Sequence, residues 1–371
     1  MEKYSRYRDP STGIAPLVYP LPASTDAVPP AVTVIVKPFA WLLGFVRTML
    51  VGLLLVVHWL LVEVLMTALA SRLPTRLHVT SHRMTDMHRA QRVIPPLHSF
   101  LTRILTTLIC RTVLFLLGLA WISTETISLK RTGRSPPSVP FAPHASDVIV
   151  ANSSSYIDVL YLAFRYNPYF LLPCSSLGSK ASASSPSLIT SYRVVSLTRA
   201  LLSIGKLPER SERGMTLDEA VSKANRPLVW FPEATTSNNR ALLKLGELVP
   251  PKTTVAATKA LKLFLLSFKY PLPTRLVPSA TYPIPSFSPI PHIFSLTSTP
   301  FTTSLHIRRL HPTESPSLSL TPRKEEMEQL AETLANTGRW KRVKAIDWEM
   351  KEGFLQLKSS SAGGMDRAKK R

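Results

Sequence analysis

Residues able to do chemistry gather in four stretches of the second half of this chain. Asn152-Ser153-Ser154-Ser155-Tyr156-Ile157-Asp158 places a carboxylate shortly after a run of hydroxyls. Gly205-Lys206-Leu207-Pro208-Glu209-Arg210-Ser211-Glu212-Arg213 carries two guanidinium groups close together. Trp230-Phe231-Pro232-Glu233-Ala234-Thr235-Thr236-Ser237-Asn238-Asn239-Arg240 holds one acid among hydroxyl and amide side chains. Val277-Pro278-Ser279-Ala280-Thr281-Tyr282 is largely apolar. A guanidinium fork matches the geometry of a phosphate monoester, which makes Arg210 a physically sensible anion anchor. Asp158 can handle protons or, at a helix start, cap the helix. Ser153 has no basic lone pair comparable to imidazole near neutral pH, and no paired base is visible to make it a nucleophile. His78 and His82 have the spacing of helical metal ligands, but no carboxylate or cysteine completes a set. They read as part of a solvated basic face, and no metal is implied.

The four stretches, in this order, resemble the motifs of the glycerophospholipid (PlsC-type, 1-acyl-sn-glycerol-3-phosphate) acyltransferases. The first is similar to that family's Asn-His-x-x-x-x-Asp, the second to Gly-x-Ile-x-x-Arg-x-x-Arg. The third is similar to Phe-Pro-Glu-Gly-Thr-(Thr)-x-Asn-Gly-Arg, the last to Val-Pro-Val-Ala-x-x-Tyr. The opening, with Met1-Glu2-Lys3-Tyr4, Arg8-Asp9 and Thr12-Gly13-Ile14-Ala15-Pro16, resembles a fungal subgroup of lysophosphatidic acid:oleoyl-CoA acyltransferases that is also linked to vacuolar protein sorting.

The resemblance implies an α/β glycerolipid-acyltransferase sandwich preceded by an N-terminal membrane helix or hairpin. It implies acyl transfer from acyl-CoA to lysophosphatidic acid at the endoplasmic reticulum and lipid droplet, with acyl-CoA as co-substrate and no separate cofactor. The implied partners are membrane lipid, lysophosphatidic acid and acyl-CoA; protein partners are unknown. The implied catalytic positions are Asp158 and Ser153, and Arg210, Arg213, Glu233 and Thr235 form the implied phosphate pocket. Two departures stand out: Ser153 occupies the place of the family's histidine base, and Ala234 that of a glycine. Three explanations of Ser153 follow. Asp158 or the acceptor's own phosphate takes the proton; a distant histidine such as His144 enters the site; or the domain is degenerate and holds lipid as a trafficking scaffold. The last reading is also motivated by a charged C-terminal helix over 323–336.

What surrounds these residues points to a membrane. The chain has 371 residues, 45% of them apolar, and a formal charge of +22 that calls for an anionic partner. Aromatics sit mostly in apolar runs and no nucleic-acid motif is present, so a lipid surface is expected and nucleic acid is not. Residues 48–62 carry no charge, and extension past Glu63 to residue 70 gives about 35 Å of helix, enough for a ~30 Å hydrocarbon core. Arg72, Arg76, Arg83, Arg89 and Arg92, opposed by Asp86 alone, put the following loop in the cytosol. A hairpin dipping into one leaflet satisfies the same pattern. Two cysteines, Cys110 and Cys174, read as reduced thiols.

The expected organisation is an N-terminal segment 1–33, then a membrane-anchoring region 34–125 with its main span over about 40–71 and a short apolar helix over 112–124. An acyltransferase-like domain follows at 145–312, C-terminal helices at 322–357 and a disordered basic tail at 358–371. Strands are expected at 147–151, 169–172, 227–231 and 275–282, with an edge strand at 301–310. Helices are expected at 157–166, 188–204, 217–224, 322–336 and 340–357.

Overall fold

The computed structural model describes residues 4–22, 30–65, 68, 96–130, 139–175, 188–211, 214–249, 260–274, 276–285, 288–299 and 304–369. The basic loop with His78 and His82, the serine-rich segment 176–187 and Arg213 lie outside the described residues.

In chain order the elements are α1 (Pro30–His58), continued by a π-helical turn (Trp59–Leu65), α2 (Pro96–Leu116), β1 (Ile122–Ile127), β2 (Val148–Ala151), α3 (Tyr156–Tyr166), β3 (Tyr169–Ser175) and β4 (Ile189–Val195). Next come α4 (Leu197–Ser203), β5 (Glu209–Arg210), α5 (Leu217–Lys223), β6 (Leu228–Trp230), β7 (Ala241–Leu242), β8 (Ala260–Leu261) and β9 (Leu263–Lys269). The last are α6 (Ile290–Thr297), β10 (Leu305–Leu310), β11 (Leu318–Ser319), α7 (Lys324–Gly338), β12 (Lys341–Arg342) and α8 (Trp348–Lys369).

One mixed sheet of eight strands runs β1-β10-β9-β2-β6-β3-β4, with β5 beside β3. Strands β9, β2, β6 and β3 are parallel, while β10 and β4 run antiparallel to their inner neighbours. Side chains alternate along a strand, so Ile149 and Ala151 enter one core while Val148 and Val150 enter the other. Helices α2, α3, α4 and α6 close the first core; α5 and α7 close the second. Cover on both faces explains why β2 and β6 are apolar at every position. The fold is α/β, as expected.

Several elements differ from expectation. Residues 188–204 form β4 and then α4, because Ile189, Thr190, Tyr192, Val194 and Val195 suit a pleated strand that hairpins onto β3. The central strand β9 was not anticipated, since a continuous apolar run fits a buried helix equally well. Residues 276–282 are irregular; Pro278 lacks the N–H that a ladder needs. Strand β10 is internal, covered by β1, which precedes the 145–312 boundary. The apolar helix at 112–124 instead spans Pro96–Leu116 and gives way to β1. Helix α8 continues to Lys369, into the expected tail; no proline interrupts it. Both cysteines are buried and unpaired.

Among the described residues, two helical stretches are long and apolar enough to cross a membrane: Val36–Leu65, mean hydropathy 2.3, and Ser99–Leu116, mean hydropathy 1.5. Both pack against helices that cover the sheet, α1 on α2 and α6, and α2 on α3. Thr48 Oγ1 lies 2.8 Å from Thr297 Oγ1, and Arg47 donates to the Thr299 carbonyl at 3.4 Å. Gly44 is needed there, because a Cβ would collide with the backbone and side chain of Ser298. Further along, Val51 is buried in the first core, His58 meets Thr106, and Glu63 accepts the Thr198 N–H at 3.0 Å. The opposite face leaves Phe39, Trp41, Phe45 and Met49 of α1, with Phe100 and Leu108 of α2, exposed as a broad apolar surface.

Candidate functional site

Strands β2 and β6 are parallel neighbours, so the turns after them emerge side by side at their C-terminal ends. Crevices at that edge of a parallel sheet are where ligands bind. The turn after β2 is 152–155, leading into α3, the turn after β6 is 231–240, and hydrogen bonds stitch them together. Ser153 N–H donates to Glu233 Oε2 at 2.9 Å, and Ser237 N–H donates to the Ser153 carbonyl at 3.0 Å. Asn239 Nδ2 donates to Ser154 Oγ at 2.8 Å and to the Phe268 carbonyl at 2.7 Å. Asn152 pairs with both backbone groups of Phe268, and Tyr282 N–H donates to the Ser154 carbonyl at 2.7 Å. The first, third and fourth motif stretches therefore meet.

The acids face inward. Asp158 Oδ2 accepts the N–H groups of Ser154 and Ser155 at 2.8 and 2.9 Å, and its Oδ1 accepts the Tyr270 hydroxyl. With Ser155 it forms a capping box that starts α3. Burial pushes its carboxyl up to about 7, against the lowering effect of those three bonds. Glu233 accepts from Ser153 N–H and from Leu243 N–H at 3.0 Å; burial pushes it to about 7 as well. The Asp158 charge adds to that rise and the Lys351 ammonium opposes it.

A cleft of about 420 Å³ opens beside these turns. Ser153, Ala234, Thr235 and Thr236 line it, together with Arg199, Lys206 and Glu209. Asp158 and Glu233 do not reach its wall. Among the described residues, neither Ser153 Oγ nor the buried Thr235 Oγ1 has a hydrogen-bond partner. A second cavity of about 190 Å³, lined by Val51, Leu55, Val113, Tyr156, Leu160 and Ile293 among others, shares Leu202, Ile204 and Lys206 with the cleft. It reaches the inner faces of α1 and α2.

The second motif is only partly drawn in. Gly205, at φ 77°, makes a turn that a side chain would crowd against Pro285, and it lines the cleft with Lys206. Arg210 lies outside the lining, half-exposed and paired with Glu352 of α8 at 2.8 Å. His144 sits before β2 with its ring exposed beside Asp147, so the length of that strand separates it from Ser153. A different histidine is close by: His292 has one ring nitrogen 3.0 Å from the Tyr156 hydroxyl and the other 3.0 Å from the Ser279 carbonyl. Burial holds it down to about 4, so it stays neutral, with both nitrogens engaged.

Three participants were not anticipated. Lys351 of α8 is fully buried, and its Nζ donates to the Thr236 carbonyl at 2.9 Å and to Thr236 Oγ1 at 3.0 Å. Burial draws its ammonium down to about 7. A lysine in register with Trp348 and Phe354 on the buried side of one helix was the available signal. Tyr270, bonded to Asp158, had none. The segment at 15–18 grips the same turn, since Asn238 Nδ2 donates to the carbonyls of Ala15 and Val18 and Asn238 N–H to that of Pro16.

No protein-family model matches this chain, and no curated protein matches it. Among solved structures, the 1-acyl-sn-glycerophosphate (LPA) acyltransferase PlsC from Thermotoga maritima is similar over 80% of this chain and 95% of its own. The identity is 11% and the TM-score 0.38.

Proposed function

We propose that this protein is a membrane-associated acyltransferase that moves an acyl chain, oleoyl in our reading, from acyl-CoA to lysophosphatidic acid. The product is phosphatidic acid, and the proposed location is the endoplasmic reticulum and lipid droplet. The observation that carries this reading is a hydroxyl-bearing cleft that shares Leu202, Ile204 and Lys206 of its wall with an apolar cavity against α1 and α2. That shape suits an amphiphile with a polar head and one hydrocarbon chain arriving from a lipid leaflet. Contacts from Gly44 to Glu63 follow about 28 Å of α1 along the domain, which favours a helix lying in one leaflet over one that crosses.

Asp158 and Glu233 bind the chain's own backbone, so the acceptor proton needs another route. The acceptor's phosphate monoester, with a second pKa near about 6, can take it. The acceptor hydroxyl oxygen bonds to the thioester carbonyl carbon, the carbon–sulfur bond breaks, and the proton passes through the phosphate to the departing CoA thiolate. Incubation of the chain in nanodiscs with oleoyl-CoA and radiolabelled lysophosphatidic acid tests this. Phosphatidic acid should form, and monooleoylglycerol, which lacks the phosphate, should remain unacylated.

A second reading, a degenerate acyltransferase domain that holds lipid, is favoured by one observation. Among the described residues lining the cleft there is no imidazole. It wins if the native chain is inert and Ser153→His alone turns over.

A further inference from the structure

Glu63 is the only acid between residues 27 and 85, and an ionisable group in so apolar a run is costly and usually functional. Trp59, Leu60, Leu61, Val64 and Leu65 of its π-helical turn are exposed, whereas Glu63 Oε1 accepts the Thr198 N–H at 3.0 Å. Thr198 stands in the first turn of α4, where N–H groups have no partners within the helix. Ser196, just before that turn, supplies no side-chain cap, so a carboxylate 135 residues away takes that place. A helix of seven residues depends on such outside support.

Helix α4 also walls both compartments. Arg199, Ala200 and Ser203 line the cleft, Leu201 lines the apolar cavity, and Leu202 lines both. The other end of α1 holds a second wall of that cavity. Thr48 Oγ1 lies 2.8 Å from Thr297 Oγ1 at the end of α6, and Ile293 of α6 lines the cavity. Between these two ends, Val51 and Leu55 of α1 line it themselves.

We propose that α1 is a clasp through which contact with a lipid surface sets the shape of the site, and that Glu63 is the positioning residue that passes this contact to α4. Lipid against the exposed face of α1 and its π-helical turn fixes the helix, and its two ends then fix α4 and α6 about the cavity. When α1 leaves lipid, Glu63 moves off Thr198, α4 loses its cap, and the wall shared by cleft and cavity loosens. The clasp rests on the reading of α1 as a lipid-seated helix, part of the proposed function, and not on acyl transfer itself.

The test is hydrogen exchange, read by mass spectrometry, on the full chain in phosphatidylcholine nanodiscs and in detergent micelles, which cover α1 without holding it in a plane. In the native chain residues 197–203 should exchange about fivefold more slowly in nanodiscs. Glu63→Leu should abolish that difference, and Glu63→Gln, which keeps an acceptor, should retain it. Ser196→Asp added to Glu63→Leu gives α4 a cap of its own, so protection should return equally in both media. Exchange at residues 148–151 of the sheet reports that each variant is folded. The proposal is overturned if Glu63→Leu keeps the native difference between media, or if Ser196→Asp restores that difference, since Glu63 would then be only a cap. On the acyl-transfer reading, KM for lysophosphatidic acid should be lower in nanodiscs than in detergent for the native chain and equal in both for the double variant, with kcat unchanged. A native chain that shows the exchange difference and forms no phosphatidic acid defeats acyl transfer and not the clasp. Turnover without the exchange difference defeats the clasp alone.

Discussion

Lys351 Nζ lies 2.9 Å from the carbonyl oxygen of Thr236, with no part of the lysine exposed. An ammonium so placed ties α8 to the turn that walls the cleft, and Thr236 passes the restraint on by donating to the Tyr282 carbonyl at 2.7 Å. Lys351→Met should therefore cost about 2 kcal/mol net, because two charge-assisted bonds disappear while a buried charge is relieved. Thermal melting in detergent reads this as a lower Tm. An unchanged Tm would remove Lys351 from the framework of the site.

Stability should pass through a minimum near pH 7. Asp158 and Glu233 have raised pKa values, so between about 4 and 7 the folded state keeps two protons that the unfolded chain has released; His292, held down to about 4, offsets one of them below about 6.5, and on balance stability falls as pH rises through that window. Lys351 is depressed, so from about 7 to 10.5 the unfolded chain holds a proton that the folded one lacks, and stability rises again. Each group contributes a slope of up to about 1.4 kcal/mol per pH unit. Chemical denaturation across pH checks it, and Asp158→Asn should flatten the acid side only.

Ala234 adopts φ 56°, a region that costs a residue with a Cβ about 1–2 kcal/mol. Ala234→Gly relieves that strain and loses about 0.5–1 kcal/mol to backbone entropy. The expected balance is a gain of up to about 1.5 kcal/mol, seen as a higher Tm. A lower Tm would mean that the Ala234 methyl group packs well enough to outweigh its strain.

Trp41 of α1 and Trp59, which opens the π-helical turn continuing it, are both exposed, about 27 Å apart along the helix. If α1 lies in one leaflet, brominated lipids should quench both at the same depth. A crossing helix would put them at opposite depths. Variants retaining only one of the two as the α1 tryptophan separate the signals.

Which stretches the fold gathers was easier to read from sequence than the strand pairing that gathers them. Residues 152–158 and 231–240 were singled out, and the fold brings them together because β2 and β6 are short all-apolar runs followed by polar turns. What those side chains do was less legible. Asp158 and Glu233 spend their oxygens on backbone N–H groups, a fact fixed by neighbours distant in sequence such as Tyr270 and Leu243. Strand β9 escaped notice although it lies beside β2, because an unbroken apolar run has no period to separate strand from helix. Arg210 looked like an anchor by residue type, but only the three-dimensional arrangement supplies Glu352 as its partner.

The turn at 236–238 is gripped from both directions along the chain, by residues 15–18 and by Lys351. On the ribosome these arrive at very different times. About 290 residues separate Glu63 from Lys351, roughly 15–60 s of synthesis. Helix α1 is free to meet a membrane throughout that interval, while the wall of the cleft lacks its last brace. On the proposed membrane reading, a nascent chain can meet its lipid surface before it owns a finished site, and premature release short of α8 would leave the cleft unsupported.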